Sequence, residues 1–250
     1  MLVVQDPHQP EALPSHEILT KLRAVLRSGS ACEDRCMALL HRADLNPTKL
    51  ELIAGWLPQR RWYPGPAAPQ LTRVAAFRFD DPAGEVGIET MLVSVGPEKI
   101  VHVPLTYRGA PLPGRDDWLI GTSEHSVLGR RWIYDACGDP VYAAALAGAV
   151  LAGTEQAEEL VEIDGRLERR APSMAIASTV EATGDMPVIE GLGGVMDSDL
   201  ITTIVTAPVI LSVMRCLELY IRPPSAAIPS LTCTWSGQSN PVVLAIAFRR

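Results

Sequence analysis

The sequence predicts an α+β fold, in which a large antiparallel sheet carries few helices. Three observations point there. Short runs rich in β-branched residues, with partial alternation, recur from residue 71 to the C-terminal end and are punctuated by Gly and Pro. Only three stretches have helical periodicity or an Ala-rich, capped character. Aromatic residues make up just 5% of the chain, against 21 Pro and 19 Gly, which suits many short elements joined by turns better than a helical bundle.

The first helix is read in PSHEILTKLRAVLRSGS, with Ser15 as cap, Ile18, Leu19, Leu22, Val25 and Leu26 on one face, and Gly29 at its end. A second is expected to begin at Asn46 as cap, with Pro47 at the first helical position, Leu50, Ile53 and Leu57 sharing a face, and Pro58 closing it. LTRVAAFRF, VGIETMLVSV and EKIVHVPLTYR then form an antiparallel meander, continued by WLIGTSEH and RRWIYDAC. Asp139 and Pro140 open the Ala-rich third helix, and Gly153 ends it. The strand EELVEID runs into a polar turn at residues 165–170. Beyond residue 173, MAIASTVEA, LITTIVT, VILSVMRCLELY, SLTCTW and PVVLAIAFR are further β-type runs.

With 29 acidic and 22 basic residues the formal charge is −7, and there is no basic stripe. Nucleic-acid binding depends on neutralising phosphates, so it is not expected, nor is attraction to an anionic membrane. The apolar runs at 140–154 and 200–214 are too short to cross a bilayer, and MLVVQDPHQP has neither the basic nor the apolar region of a secretory signal. A cytoplasmic location is expected. Cys32, Cys36, Cys137, Cys216 and Cys233 are odd in number and scattered, which favours free thiols over a disulfide framework or a zinc site.

HRADLNP (41–47) looks like a kinase catalytic loop, but both spacings within it are wrong and no nucleotide-binding lobe precedes it. DSD (197–199) is read as lying in a Gly-rich turn with nothing around it, and GLGG (191–194) as a plain turn, because the strand and helix that a dinucleotide fingerprint needs are missing. His8, His16, His41, His102 and His125 each stand alone, so no metal cluster or nucleophile–base pair assembles. His102, between Val101 and Val103, reads as a sheet-surface residue, and Asp135 and Asp139 as surface structure. No catalytic, cofactor or metal residues are assigned.

One cluster carries more weight. LPQRRWYPG (57–65) gathers Arg60, Arg61, Trp62 and Tyr63 after a helix, bracketed by prolines. Trp, Tyr and Arg are enriched at binding hot spots, which makes these four the candidate binding surface. The competing expectation is that Trp62 and Tyr63 anchor the helix to the sheet while the arginines are solvated.

The same stretch carries a family resemblance. From Pro47 to about Gly153 the chain resembles the N-terminal cap domain of bacterial maltokinases and related sugar kinases. The helix-ending W-L-P-x-x-R-W-[FY]-x-G signature is matched by Trp56, Leu57, Pro58, Arg61, Trp62, Tyr63 and Gly65. V-P-L-x-Y is matched by Val103, Pro104, Leu105 and Tyr107, L-I-G by residues 119–121, and Y-D-A-x-x-D-P by Tyr134, Asp135, Ala136, Asp139 and Pro140. The Lys that tends to follow in the kinases is absent, since Pro66 and Ala67 come after Gly65, and no kinase lobes follow. The end of the chain resembles stand-alone cap-like proteins instead, through Leu231, Thr232, Thr234, Trp235, Gly237 and Gln238, then VVLA at 242–245. Such proteins are loosely labelled as related to 1,4-α-glucan branching, but a branching enzyme needs a barrel with paired carboxylates for which this chain has no room.

The resemblance implies a cystatin-like cap, a helix packed on a curved antiparallel sheet, extended by a strand-rich C-terminal part. The expected organisation is an N-terminal extension over 1–36, a cap-like domain over 37–172 and a β-rich segment over 173–250. Met37, which opens a stretch similar to the start of stand-alone relatives, is expected to be the initiator. The function expected is a non-catalytic binding or regulatory module whose partner is a sugar kinase or another enzyme of glucan or trehalose metabolism. The alternatives are a small-molecule (sugar or nucleotide) binder and an enzyme of unrecognised type. A contiguous apolar patch on an exposed sheet face would favour a protein partner, and a concave polar pocket a ligand.

Overall fold

The β-branched runs form strands close to where the sequence puts them. The computed structural model describes residues 37–40, 44–97, 99–163, 166–180, 187–217 and 228–250, all within the unit Arg35–Arg250. The helix expected near Ser15, and Cys32, Cys36, His8, His16 and His41, lie outside the described residues. In chain order the elements are β1 (Met37–Leu40), β2 (Leu45–Asn46), α1 (Lys49–Trp56), β3 (Thr72–Phe79), β4 (Gly87–Gly96), β5 (Lys99–Arg108), β6 (Leu119–His125) and β7 (Gly129–Asp135). There follow α2 (Pro140–Leu151), β8 (Glu158–Ile163), β9 (Arg166–Arg170), β10 (Met174–Ser178), β11 (Gly194–Asp197), β12 (Ile201–Val205), β13 (Val209–Met214), β14 (Cys216–Leu217), β15 (Ser230–Trp235) and β16 (Gln238–Arg249).

The mostly-sheet architecture with few helices is as expected, but the strands make three sheets rather than one. A curled antiparallel sheet has the order β2-β6-β7-β5-β4-β3, with β14 also pairing with β5. A second antiparallel sheet has the order β10-β15-β16-β13-β12-β11. The third, β1-β8-β9, includes a parallel pair between β1 and β8. Residues 166–170, expected as a turn, are a strand of this small sheet. The division follows from burial on both faces of β4. Ile88 and Leu92 face one core, shared with α2 and the second sheet, while Met91 and Val93 face another, shared with α1. A strand apolar on both sides needs a layer on each side.

Local signals fix the helices. α1 starts two residues later than Asn46 and Pro47 suggest, because Thr48 and Glu51 form a capping box; Leu45 and Asn46 pair instead with His125 and Glu124. The Asn46–Pro47 peptide is cis. Ile53, Trp56 and Leu57 are buried against Met91, Val103 and Ile133, with Leu50 at the margin. α2 begins as expected, with Asp139 accepting from the Val141 N–H at 3.0 Å and Pro140 at the first position. Its alanines let it lie close to both sheets, beside Phe77, Leu211 and Leu244.

The chain crosses between the two large sheets at Arg215, the residue that divides the single run VILSVMRCLELY into β13 and β14. Its side chain is fully buried. Nη2 donates to Asp135 Oδ2 at 2.6 Å and Nε to Thr202 Oγ1 at 2.6 Å. Desolvation works against the guanidinium charge, but the Asp135 carboxylate outweighs it and holds Arg215 protonated. Asp135 also accepts from the Cys137 N–H. Asp139 is held in two parallel bonds of 2.7 Å by Arg108. Both aspartates are buried, which corrects their reading as surface residues: each satisfies a turn or helix start and a cation at once.

His102 is likewise not on a sheet surface. It is 1% exposed, with its backbone N–H donating to the Arg215 carbonyl at 2.8 Å and Nδ1 lying 2.8 Å from the Met214 carbonyl. Burial holds the imidazole down at about 3, far below its ordinary 6.5, against the pull of the Met214 hydrogen bond. On the other face, burial works to raise Glu89, but Arg78 and Lys49 outweigh it and hold that carboxyl at about 2. Tyr107 donates to the same carboxylate at 2.8 Å.

The folded chain keeps His102 neutral where the unfolded chain takes a proton, so this contribution is intact above pH 6.5 and is lost as pH falls toward 3. Urea titrations between pH 6.5 and 4.5 should show a loss on the order of 2 kcal/mol that His102→Gln abolishes. Below pH 4.5 Glu89 adds a further loss of the same sign. The ion pair gives a second expectation. Arg215→Met strands a buried carboxylate and should cost roughly 3–5 kcal/mol, whereas adding Asp135→Asn, which keeps the turn contact, should restore at least half of that in the same assay.

Candidate functional site

The four residues of the candidate surface follow α1 through the tight turn Leu57–Gln59, which Pro58 pre-shapes. The Arg60 N–H donates to the Leu57 carbonyl at 2.9 Å and the Tyr63 N–H to the Arg60 carbonyl at 3.1 Å. These two closures send successive side chains in different directions, so the four do not form one surface.

Trp62 points inward. It is 1% exposed and meets Trp56 edge-on, with ring centroids 5.6 Å apart and planes at 64°. The Arg215 guanidinium lies 4.7 Å from its centroid, and its backbone carbonyl faces Cys216 Sγ at 3.1 Å. Arg60 lies over the Trp56 ring at 5.2 Å. Cation–π and edge-to-face contacts thus run in one series, Arg60 to Trp56 to Trp62 to Arg215, ending at Asp135. Tyr63 is half-buried, and burial raises its phenol. A Cβ on Gly65 would come within 2.2 Å of the Tyr63 hydroxyl, so only glycine lets that ring lie across the chain. Arg61 is exposed and pairs at 2.6 Å with Asp199, itself exposed, and such a pair contributes little. DSD is therefore not isolated: Asp199 meets Arg61, and Asp197, which ends β11, accepts from Thr202 Oγ1.

Trp62 and Tyr63 thus serve as anchors and Arg61 is solvated. Of the four, Arg60 borders a cleft of about 390 Å³ with Glu51, Gln59, Asp116, Asp117 and Trp56 around it. The sequence reading missed Asp116 and Asp117. Their signal was the tight PGRDDW turn, whose Trp118 packs where a Cβ on Gly138 would lie 2.2 Å away. Glu51 in this cleft has its carboxyl lowered by the Thr48 hydrogen bonds of the capping box.

The remaining groups with displaced proton affinities lie within the packing. Burial lowers Lys49, with Glu89 opposing, and pushes Tyr107, Cys137 and Tyr142 up. His125 closes the turn after β6, its Nδ1 accepting from the Val127 and Leu128 N–H groups. Among the described residues no group of three or more His, Cys, Asp or Glu is placed to hold a metal ion, and no helix is long and apolar enough to cross a membrane.

Among the described residues, the second sheet has no layer on one face. Along β12 and β13 buried and partly exposed residues alternate strictly, as one-sided coverage requires. Ile210 pairs across the strands with Phe248 and Val205, and Ser212 with Ile246 and Thr203. Met196, opposite Thr203, is 61% exposed and Phe248 is 48% exposed. The open face is thus largely apolar.

Residues 56–139 match the family model of the maltokinase N-terminal cap domain. Among solved structures, a glucosamine kinase in complex with glucosamine, ADP and inorganic phosphate is similar at 17% identity and a TM-score of 0.43, over 82% of this chain and 41% of that one. The chain thus spans well under half of that kinase's length. No curated protein matches. The matched segment takes in the Trp56–Trp62 corner, the whole meander and the buried Asp135 and Asp139, so over residues 56–139 the chain is similar to the maltokinase N-terminal cap domain.

Proposed function

We propose that this protein is a non-catalytic cap-like module, with α1 on the curled sheet in a cystatin-like arrangement, that binds and regulates a sugar kinase or another enzyme of glucan or trehalose metabolism. The observation that carries this reading is the match of residues 56–139 to a domain that sits at the N-terminus of maltokinases. Support comes from how the matched residues are used. Trp56, Trp62, Asp135 and Asp139 hold layers together and start helices, so they define a scaffold. Among the described residues, a surface for a partner is the partly exposed apolar face of the second sheet around Ile210, Ile246 and Phe248. A face of that kind on an otherwise polar protein marks an interaction site.

A second reading is a sugar ligand in the cleft beside Arg60. It is favoured by the mixture of donors and acceptors there, a guanidinium, the Gln59 amide and the Asp116 and Asp117 carboxylates beside an indole, which suits a polyhydroxylated molecule.

The deciding experiment is a quantitative pull-down of the tagged protein from the cytoplasm of its native host, followed by mass spectrometry. The expected result is a sugar kinase or glucan enzyme in near-stoichiometric amount, lost by at least tenfold with Ile210→Asp/Phe248→Asp. Equal capture by that variant moves the interface elsewhere. Nothing above background overturns the partner reading, and maltose titration against the wild type and Arg60→Ala then tests the cleft.

A further inference from the structure

A second concavity, of about 430 Å³, lies where the end of β3 meets the first turns of α2. Its floor is apolar: Phe79, Val141, Ala144, Ala145 and Ile189. The small side chains on α2 make the depression, because alanines at 144 and 145 leave the helix surface low between Pro140 and Thr154. Its rim is acidic. Asp80, Asp81, Glu155 and Glu190 line it, and among the described residues no Lys, Arg or His does. Asp81 is fixed in place, its carboxylate accepting from the Ala83, Glu85 and Val86 N–H groups at 3.0 Å each. Arg108 is close enough to feel the charge of Asp81, but its guanidinium is already held by both oxygens of Asp139.

We propose that this groove binds a basic peptide segment of a partner protein, with one aliphatic or aromatic side chain on the α2 alanines and flanking lysines or arginines against the acidic rim. Charge complementarity selects the occupant. The carboxylates come from three separate places in the chain, 80–81, 155 and 190, so they surround the apolar floor and do not stand at one edge of it. A single amine on a small apolar molecule answers one of them. A peptide with cations on both sides of an apolar anchor answers several at once, and it puts the anchor in the centre, where desolvation makes a contact count most. The volume fits one large side chain and its neighbours, within the size range of well-formed binding sites. The inference holds whichever protein supplies the segment and does not depend on a kinase partner.

The test uses the full chain and a fluorescein-labelled synthetic dodecapeptide, with leucines on one helical face and lysines on the other, followed by fluorescence anisotropy. The proposal expects saturable binding that weakens at least tenfold in Glu155→Lys/Glu190→Lys, two exposed positions, and in Ala144→Trp, which fills the floor. It also expects binding to weaken as NaCl rises. Asp44→Lys/Glu168→Lys makes the same change in net charge at exposed positions outside the groove and should leave the Kd within twofold. Circular dichroism melts establish that each variant is folded. Absence of binding overturns the proposal. So does an equal loss in the two charge-reversal pairs, which would mean long-range attraction to an acidic protein. Displacement of the peptide by an equimolar amount of hexylamine also overturns it, by assigning the groove to small amines.

Discussion

The buried pair between Arg215 and Asp135 is the constraint on which the arrangement of the two large sheets depends. Arg215 stands where the chain leaves β13 for β14, and Asp135 closes β7 in the other sheet, so one 2.6 Å contact joins them. A buried ion pair is weak evidence of net stabilisation, because desolvating two charges offsets much of their attraction. Its value here is specificity of place. An apolar residue at 215 could slide against its neighbours, whereas a guanidinium must meet Asp135, Thr202 and the Trp62 ring together. The backbone of the same residue is tied as firmly, with its N–H to Leu200 and its carbonyl to His102.

That geometry explains why the corner after α1 looks like a binding motif and behaves as an anchor. Trp62 is the plate between Arg215 and Trp56, and Arg60 closes the stack from outside. Hot-spot residues and core anchors share a chemistry, a large amphipathic ring beside a planar cation, so composition alone does not separate them. Direction separates them, and the two hydrogen-bonded turns at 57–63 set direction.

Much of the fold was legible in the sequence, and the parts that were not share a cause. Strand positions from 72 to 108 and the Asp139–Pro140 helix start were readable because they rest on local alternation and local caps. At α1 two local signals competed. Asn46–Pro47 resembles a helix start as closely as Thr48 with Glu51 does, but Leu45 and Asn46 are taken by pairing with β6, a contact nearly eighty residues away in the chain. His102 reads as a surface residue only if the sheet is covered on one side, and no local pattern says that α2 and the second sheet cover the other. Arg215 is one cation inside a hydrophobic run, and its partner is 80 residues distant. Of the candidate site, the four-residue cluster was visible, Arg60 included, but the direction of each side chain and the Asp116 and Asp117 carboxylates that line the same cleft were not.

Where the resemblance lies bears on where function lies. Within 56–139 the motif residues that could be traced are spent on packing, capping and ion pairing. A match built from such residues reports a scaffold, and a scaffold accepts different occupants on its free surfaces. The open face of the second sheet is formed by residues after 194, and the floor of the acidic groove by α2 and Ile189 together with Phe79, which lies within the matched segment. The matched segment is tied to the C-terminal strands at Arg215, through Asp135 and the Trp62 ring, and those strands carry the partly exposed apolar sheet face.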